Sequence, residues 1–217
     1  MTADRDLQQS VLDALSWEPS IVAAHIGVTA QGGVVTLTGY VDTYVEKWQA
    51  ERATLRVKGV RAVAEELEVR LAMDCQRSDD DIAAAVIERL AWDTALPRNA
   101  IEVQVESGWV TLSGDVAGYY QREAATLAVR PLRGVVGISN QITIRPDVNV
   151  TNLSDDIVHA LHRSWFLDPK TIRVSADRGG AIRLSGSVHS WPERQVAAEI
   201  AWAAPGATAV TNDLAVV

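Results

Sequence analysis

A five-residue motif that occurs three times sets the organisation of this chain. It reads VTLTG at 35–39, VTLSG at 110–114 and IRLSG at 182–186, so successive copies lie 75 and 72 residues apart. A repeat of that length is longer than the unit of most solenoid proteins and long enough to form a small domain. The 217 residues therefore predict three tandem units, which we place at 1–73, 74–147 and 148–217.

The residues around each motif predict the same order of elements: helix, strand, strand, helix, strand. Val11 and Leu15 recur at helical spacing, whereas Ile101 and Val103 alternate with polar residues as in a half-buried strand. The second helix of the first unit begins at a capping box, TYVE, whose first residue is Thr43. The predicted fold class is α+β, with three small αββαβ domains. Each has a three-stranded mixed sheet and two helices on one face.

Six glycines recur at two equivalent places in the repeats. The glycine that ends each motif is predicted to free the chain to leave the sheet, and a second glycine is predicted to close the second helix as a C-cap. The first set is Gly39, Gly114 and Gly186, and the second is Gly59, Gly134 and Gly206.

Charge and composition exclude several classes of protein. The net charge is −8 and no unit carries a positive net charge, so a nucleic-acid partner is not expected. Cys75 is the sole cysteine, which excludes an intrachain disulfide. No apolar run approaches the roughly 20 residues that a transmembrane helix needs. The N-terminus has no apolar segment typical of a secretory signal, so we expect a cytoplasmic protein as given, or a periplasmic one if an upstream signal was removed.

The sequence offers no catalytic constellation. It contains no GxSxG motif, no P-loop and no paired carboxylates in an apolar frame, so we expect no enzymatic activity. His159 and His162 share a helix face at i and i+3 but lack a third ligand at suitable spacing. We therefore predict no metal site and no cofactor.

The candidate contact residues lie on the sheet face that the helices leave open. In the second unit this face is predicted to carry Trp109, and in the third Arg173 and Arg183. The arginines would suit a phosphate head group, and the amphipathic ring of Trp109 would suit a membrane interface. The alternative is a solvated face, or one packed against the next unit.

Three tryptophans recur near the end of the first helix of each unit. Trp17 and Trp92 each follow the last helical leucine by two residues, and Trp165 lies near the same place. Because the recurrence is structural, we expect these rings in the core or between the domains.

The whole pattern resembles the BON domain, a small bacterial αββαβ module. An acid-capped helix precedes the pattern IxVxVxxGxVxLxG, and an alanine-rich helix, a glycine and a strand often carrying Asn follow it. The second and third units match best, with Asn140 and Asn212 on their last strands, whereas the first unit has Glu65 there.

The resemblance implies a non-enzymatic, transport-associated protein of the osmotic stress response, supporting the envelope by binding phospholipid or another protein. A different BON relative implies an alternative, a cytoplasmic potassium-ion sensor whose site would be made of backbone carbonyls. A protein-interaction scaffold is the third interpretation.

Overall fold

The computed structural model describes residues 2–146, 152–165 and 167–217. Each repeat folds into its own αββαβ unit around its own apolar core, which confirms the predicted fold class.

The helices are α1 (Thr2–Ser16), α2 (Tyr44–Leu55), α3 (Asp79–Trp92), α4 (Tyr119–Val129), α5 (Leu153–His162) and α6 (Trp191–Trp202). The strands are β1 (Ile26–Gln31), β2 (Val34–Val41), β3 (Ala62–Val69), β4 (Ile101–Glu106), β5 (Trp109–Val116), β6 (Gly137–Asn140), β7 (Thr143–Ile144), β8 (Ile172–Ala176), β9 (Ala181–Val188) and β10 (Ala209–Val216). Most of the predicted second linker, 146–152, lies outside the described residues.

The middle strand of each sheet carries the repeated motif. It pairs antiparallel with the preceding strand and parallel with the strand that follows the second helix. A hairpin makes the first pairing and a helical crossover the second, as short connections require. The motif residues Val35 and Leu37 are fully buried, and so are Val110 and Leu112, because one side of the strand faces both helices.

The motif glycines lie inside the strand and not at its end, which corrects the sequence interpretation. β2 continues two residues past Gly39, and its backbone there has φ +112°. A side chain on Gly39 would collide with the carbonyl oxygen of His25, just before the neighbouring strand. Gly114 and Gly186 repeat this geometry against Ala100 and Thr171. The glycine therefore permits a close backbone approach where the hairpin strands meet.

The asparagines of the last strands join that strand to the second helix. Asn140 Nδ2 donates to the Arg122 carbonyl at 2.9 Å, while its Oδ1 accepts from the Ile142 amide at 3.0 Å. Asn212 makes the equivalent contacts with Arg194 and Leu214. The third strand of the second unit is divided into β6 and β7 just after Asn140, whereas β10 continues through Asn212.

Glu65 performs half of the same task in the first unit. Its Oε1 accepts from the Leu67 amide at 2.7 Å, and its other oxygen lies 3.0 Å from Lys47 Nζ on α2. An ion pair with Lys47 on α2 thus replaces the hydrogen bond that the Asn side chain donates to the helix backbone. Glu65 therefore keeps the third strand joined to the second helix, as Asn140 and Asn212 do in the other units.

The three units touch through the ends of their second helices. Tyr44, the first residue of α2, packs against the core of the second unit near Arg130, the residue after α4. Tyr119, the first residue of α4, stacks on Trp202 at the end of α6, with ring centroids 4.4 Å apart. Trp191, the first residue of α6, packs against the core of the first unit. We call these contacts seam 1–2, seam 2–3 and seam 3–1.

The seams close a ring. Tyr44, Tyr119 and Trp191 occupy equivalent positions in the repeats, and each meets the end of the second helix of another unit. The contacts run head to tail and return to the starting unit after three steps. The second helices of the three units therefore form a closed cycle of contacts.

Candidate functional site

Trp109 lies on the open sheet face, as its parity predicts, and is 49% exposed. It pairs with Gly137 on β6, and a side chain at Gly137 would overlap its ring. The indole therefore lies flat across a neighbouring strand.

The two predicted arginines share the open face of the third unit, where each lies opposite a serine of the neighbouring strand. Arg183 Nε lies 2.6 Å from Asp213 Oδ2 on β10. Arg173 is exposed on the edge strand. Because a carboxylate already engages Arg183, the pair offers an incoming phosphate less charge than the sequence indicates. Trp109 belongs to another unit, so the structure gives the three residues no common site.

The tryptophans at the ends of the first helices are exposed, and the expectation that they pack in the core or between domains is wrong. Trp17, Trp92 and Trp165 are 89%, 76% and 93% exposed. For Trp17 and Trp92 the helix period explains this outcome, because each lies two residues, or about 200°, beyond the last leucine of the buried stripe. The two-residue spacing of Trp17 and Trp92 from the last buried leucine was the sequence signal that could have predicted their exposure.

Trp17 and Trp92 occupy equivalent positions, two residues after the last buried leucine of the first helix, whereas Arg163 takes that position in the third unit and Trp165 follows two residues later. Each unit nevertheless carries one large exposed indole near the end of its first helix. Tryptophan combines an apolar ring with a polar N–H, a composition favoured at membrane–water interfaces and in protein contacts.

A groove runs between the first and second helices beside two of these positions. In the first unit it has a volume of about 420 Å³ and is lined by Trp17, Ala53 and Arg56, among others. The equivalent groove in the third unit measures about 690 Å³ and includes Arg163, two residues before Trp165. Arg163 thus occupies in the third unit the groove position that Trp17 occupies in the first.

Seam 1–2 holds a cation pair around one indole. Arg52 and Arg130 lie over the ring of Trp48, with guanidinium-to-centroid distances of 4.6 and 3.8 Å. Burial lowers the pKa of Arg130, whose side chain is only 9% exposed and whose Nε has no hydrogen-bond partner. Trp48 supplies the π face that replaces this missing bond.

Two tyrosines at the seams are kept protonated. Burial, assisted by the charge of Glu123, raises the pKa of Tyr119 to about 12. Burial also raises the pKa of Tyr44, opposed by the neighbouring Arg130. Both phenols are therefore neutral at physiological pH and serve as packing surfaces.

Within residues 2–146, 152–165 and 167–217, no group of three or more His, Cys, Asp or Glu side chains is arranged to hold a metal ion. In the same ranges, no helix is long and apolar enough to cross a membrane.

Comparison with known proteins decides the family. The sequence model of the BON domain matches three times, at residues 3–70, 78–146 and 149–217. The chain belongs to the BON domain family. The suspected resemblance is thereby confirmed over nearly all of the sequence.

Individual relatives are more distant. A curated relative is the osmotically-inducible protein Y of Escherichia coli, 27% identical over 143 residues, which are 64% of this chain and 71% of that protein. Among solved structures, CdsD, a structural protein of the Chlamydia trachomatis type III secretion system, is 16% identical with a TM-score of 0.27, covering 98% of this chain and 92% of that one. A structure of the C-terminal domain of CdsD gives the same identity and TM-score, with 98% of both chains covered.

Proposed function

We propose that this protein is a non-enzymatic, stress-related binding protein that attaches to phospholipid surfaces of the cell envelope. Membership of the BON family and the osmotically inducible relative support the general role. The observation that carries the lipid proposal is the exposure of Trp17, Trp92 and Trp165, one large indole near the end of the first helix of each unit. In this proposal the three indoles enter one interface together.

The energetic argument rests on these three rings being exposed in the free protein. Burial of apolar surface contributes about 25 cal/mol per Å², and a tryptophan buries roughly 150–250 Å² when fully covered. Once one ring has entered a surface, the other two rings are already held near it, so their insertion is favoured by a high effective concentration. The net charge of −8 opposes approach to anionic lipid, so zwitterionic lipid is the better surface.

The experiment is vesicle flotation at low salt with phosphatidylcholine and phosphatidylglycerol liposomes. The wild-type chain is compared with the triple variant Trp17→Ala, Trp92→Ala, Trp165→Ala. The control replaces three other exposed apolar residues, Met73, Tyr120 and Leu127, with alanine. We expect flotation of the wild type and the control, and a loss of at least tenfold in the triple variant.

Two results would oppose the proposal in different ways. Absence of wild-type binding to either vesicle removes the phospholipid function. Equal flotation of the wild type and the tryptophan variant would support phospholipid binding but show that the three tryptophans are not the binding site. The potassium alternative and the cellular compartment stay predictions, and melting curves in potassium and sodium test the former.

A further inference from the structure

The three seams are filled differently although their positions are equivalent. In seam 1–2, Trp48 of α2 and Arg130 of the second unit fill the space beside Tyr44. The equivalents in seam 3–1 are Gln195 of α6 and Leu55 of α2. Both are smaller than the residues they replace. Seam 3–1 accordingly contains a cavity of about 270 Å³.

Two arginines line this cavity, and one of its walls is an indole whose buried N–H has no acceptor. Arg52 and Arg56 line it from the first unit, and neither forms an ion pair with a carboxylate of the described residues. Trp191 lines it from the third unit, and its Nε1 is buried without an acceptor. A buried unsatisfied donor is costly, so this position favours an acceptor atom.

The one carboxylate in the lining already has a partner. Glu199 Oε1 accepts from Gln195 Nε2 at 2.8 Å. The remaining walls are apolar and include Leu55, Pro192 and Val196. The cavity therefore combines an electropositive end with an apolar body at a domain boundary, the usual composition of a small-molecule site.

We propose that seam 3–1 binds an amphiphilic anion, a carboxylate or phosphate monoester on a short alkyl chain. Its acidic group would lie against Arg56 and Arg52 and accept from Trp191 Nε1. Its alkyl chain would lie against Leu55 and Val196. The ligand joins the first and third units, which no linker connects directly, so its binding stabilises the closed ring. This site differs in place and residues from the tryptophans assigned to membrane contact.

The experiment is isothermal titration calorimetry of the full chain with monomeric octanoate and octyl phosphate. Octanol tests the need for a charge, and octyltrimethylammonium tests its sign. Arg56→Gln removes an exposed donor, and Trp191→Phe removes the indole N–H while keeping a ring. Gln195→Trp fills the cavity with the residue that occupies the equivalent place in seam 1–2. The matched control is Arg133→Gln, an exposed arginine of the second unit.

We expect at least one of the two anions to bind with a stoichiometry of one, and octanol and the ammonium probe to bind at least tenfold more weakly. The preferred anion distinguishes carboxylate from phosphate. Arg56→Gln and Trp191→Phe should each weaken binding about fivefold or more, Gln195→Trp should abolish it, and Arg133→Gln should leave it unchanged. The thermal midpoint of the wild type should rise on binding.

Three outcomes overturn the proposal. These are failure of both anions to bind the wild type, equal binding of octanol, and undiminished binding by Gln195→Trp with a normal circular dichroism spectrum. If Gln195→Trp does not fold, undiminished binding by both Arg56→Gln and Trp191→Phe is decisive. Vesicle flotation is read separately, because the tryptophan triple variant keeps every residue of this cavity.

Discussion

The two helices of each repeat place their aromatic residues in opposite environments. The second helices begin with Tyr44, Tyr119 and Trp191, which pack between units. The first helices end near Trp17, Trp92 and Trp165, which are exposed to solvent. The same residue types therefore serve assembly in one helix and leave an exposed surface in the other. Whether an aromatic residue is packed between units or exposed to solvent depends on its position relative to the seams and not on its residue type.

The largest difference between the two sets should appear on removal of Trp202. This ring packs against the cores of both the second and third units and stacks on Tyr119. Trp202→Ala should lower the free energy of unfolding by about 3 kcal/mol, since a large packed ring and its cavity are involved. Urea denaturation measures the change. Trp17→Ala should stay within about 0.5 kcal/mol of wild type, and equal losses would contradict the comparison.

A smaller loss is expected for Trp48→Ala in seam 1–2. The variant leaves the guanidinium of Arg130 buried without its π partner, as well as creating space between Arg52 and Arg130. We expect a loss of about 2 kcal/mol from the combined packing and cation–π contributions. Thermal unfolding, monitored by differential scanning calorimetry, measures this loss of stability. Trp92→Ala is the matched exposed control, and its midpoint should not move.

Single removals of the exposed tryptophans should change binding and not stability. Trp17→Ala should weaken attachment to phosphatidylcholine vesicles about tenfold, or roughly 1.4 kcal/mol, because one of three simultaneous ring insertions is lost. Vesicle titration followed by sedimentation gives the partition coefficient. Trp165→Ala should have a similar effect, since this ring is exposed to a similar extent. A variant that binds normally but unfolds early would assign that tryptophan to packing.

The smallest predicted effect is a pH dependence at seam 2–3. The pKa of Tyr119 is raised to about 12 in the folded chain, above the ordinary value of 10.0. Between these values the unfolded chain releases the proton first, so the free energy of unfolding falls as pH rises. The rise of the Tyr119 pKa from 10.0 to about 12 corresponds to about 2.7 kcal/mol. Solvent screening of this half-buried phenol reduces the contribution to about 1 kcal/mol. Below pH 10 the contribution is fully present.

Denaturation of wild type and Tyr119→Phe at pH 9 and pH 11.5 isolates this group. The difference in unfolding free energy between the two proteins should shift by about 1 kcal/mol between the two pH values. An unchanged difference would mean that the phenol ionises normally at the seam.

The αββαβ order was predictable because local signals determine it. Thr43 and Ser190 accept from the amides of Glu46 and Glu193, as their capping boxes predict. Alternating apolar residues fix which side of each strand faces the helices. Gly39 was interpreted incorrectly, because a glycine required by close backbone approach resembles one that ends a strand.

The ring and its seams were less accessible to sequence reasoning. Tyr44, Tyr119 and Trp191 recur at the first position of the second helices, yet their partners Arg130, Trp202 and Leu55 share no chemistry. A contact made by unlike residues leaves no repeated pattern. The exposure of Trp17 was predictable in principle from its angle on the helix, whereas the cavity in seam 3–1 depends on the placement of two units.

The closure of the ring also matches the contacts between the three repeats to one another. Each unit presents one aromatic residue and accepts one, so three units satisfy every such contact among the described residues. A chain shortened to two units would retain one aromatic residue and one helix end without their partners. Because these surfaces are complementary and not alike, such chains would join head to tail into larger rings or open fibres. The third repeat therefore covers two surfaces through which shortened chains would polymerise.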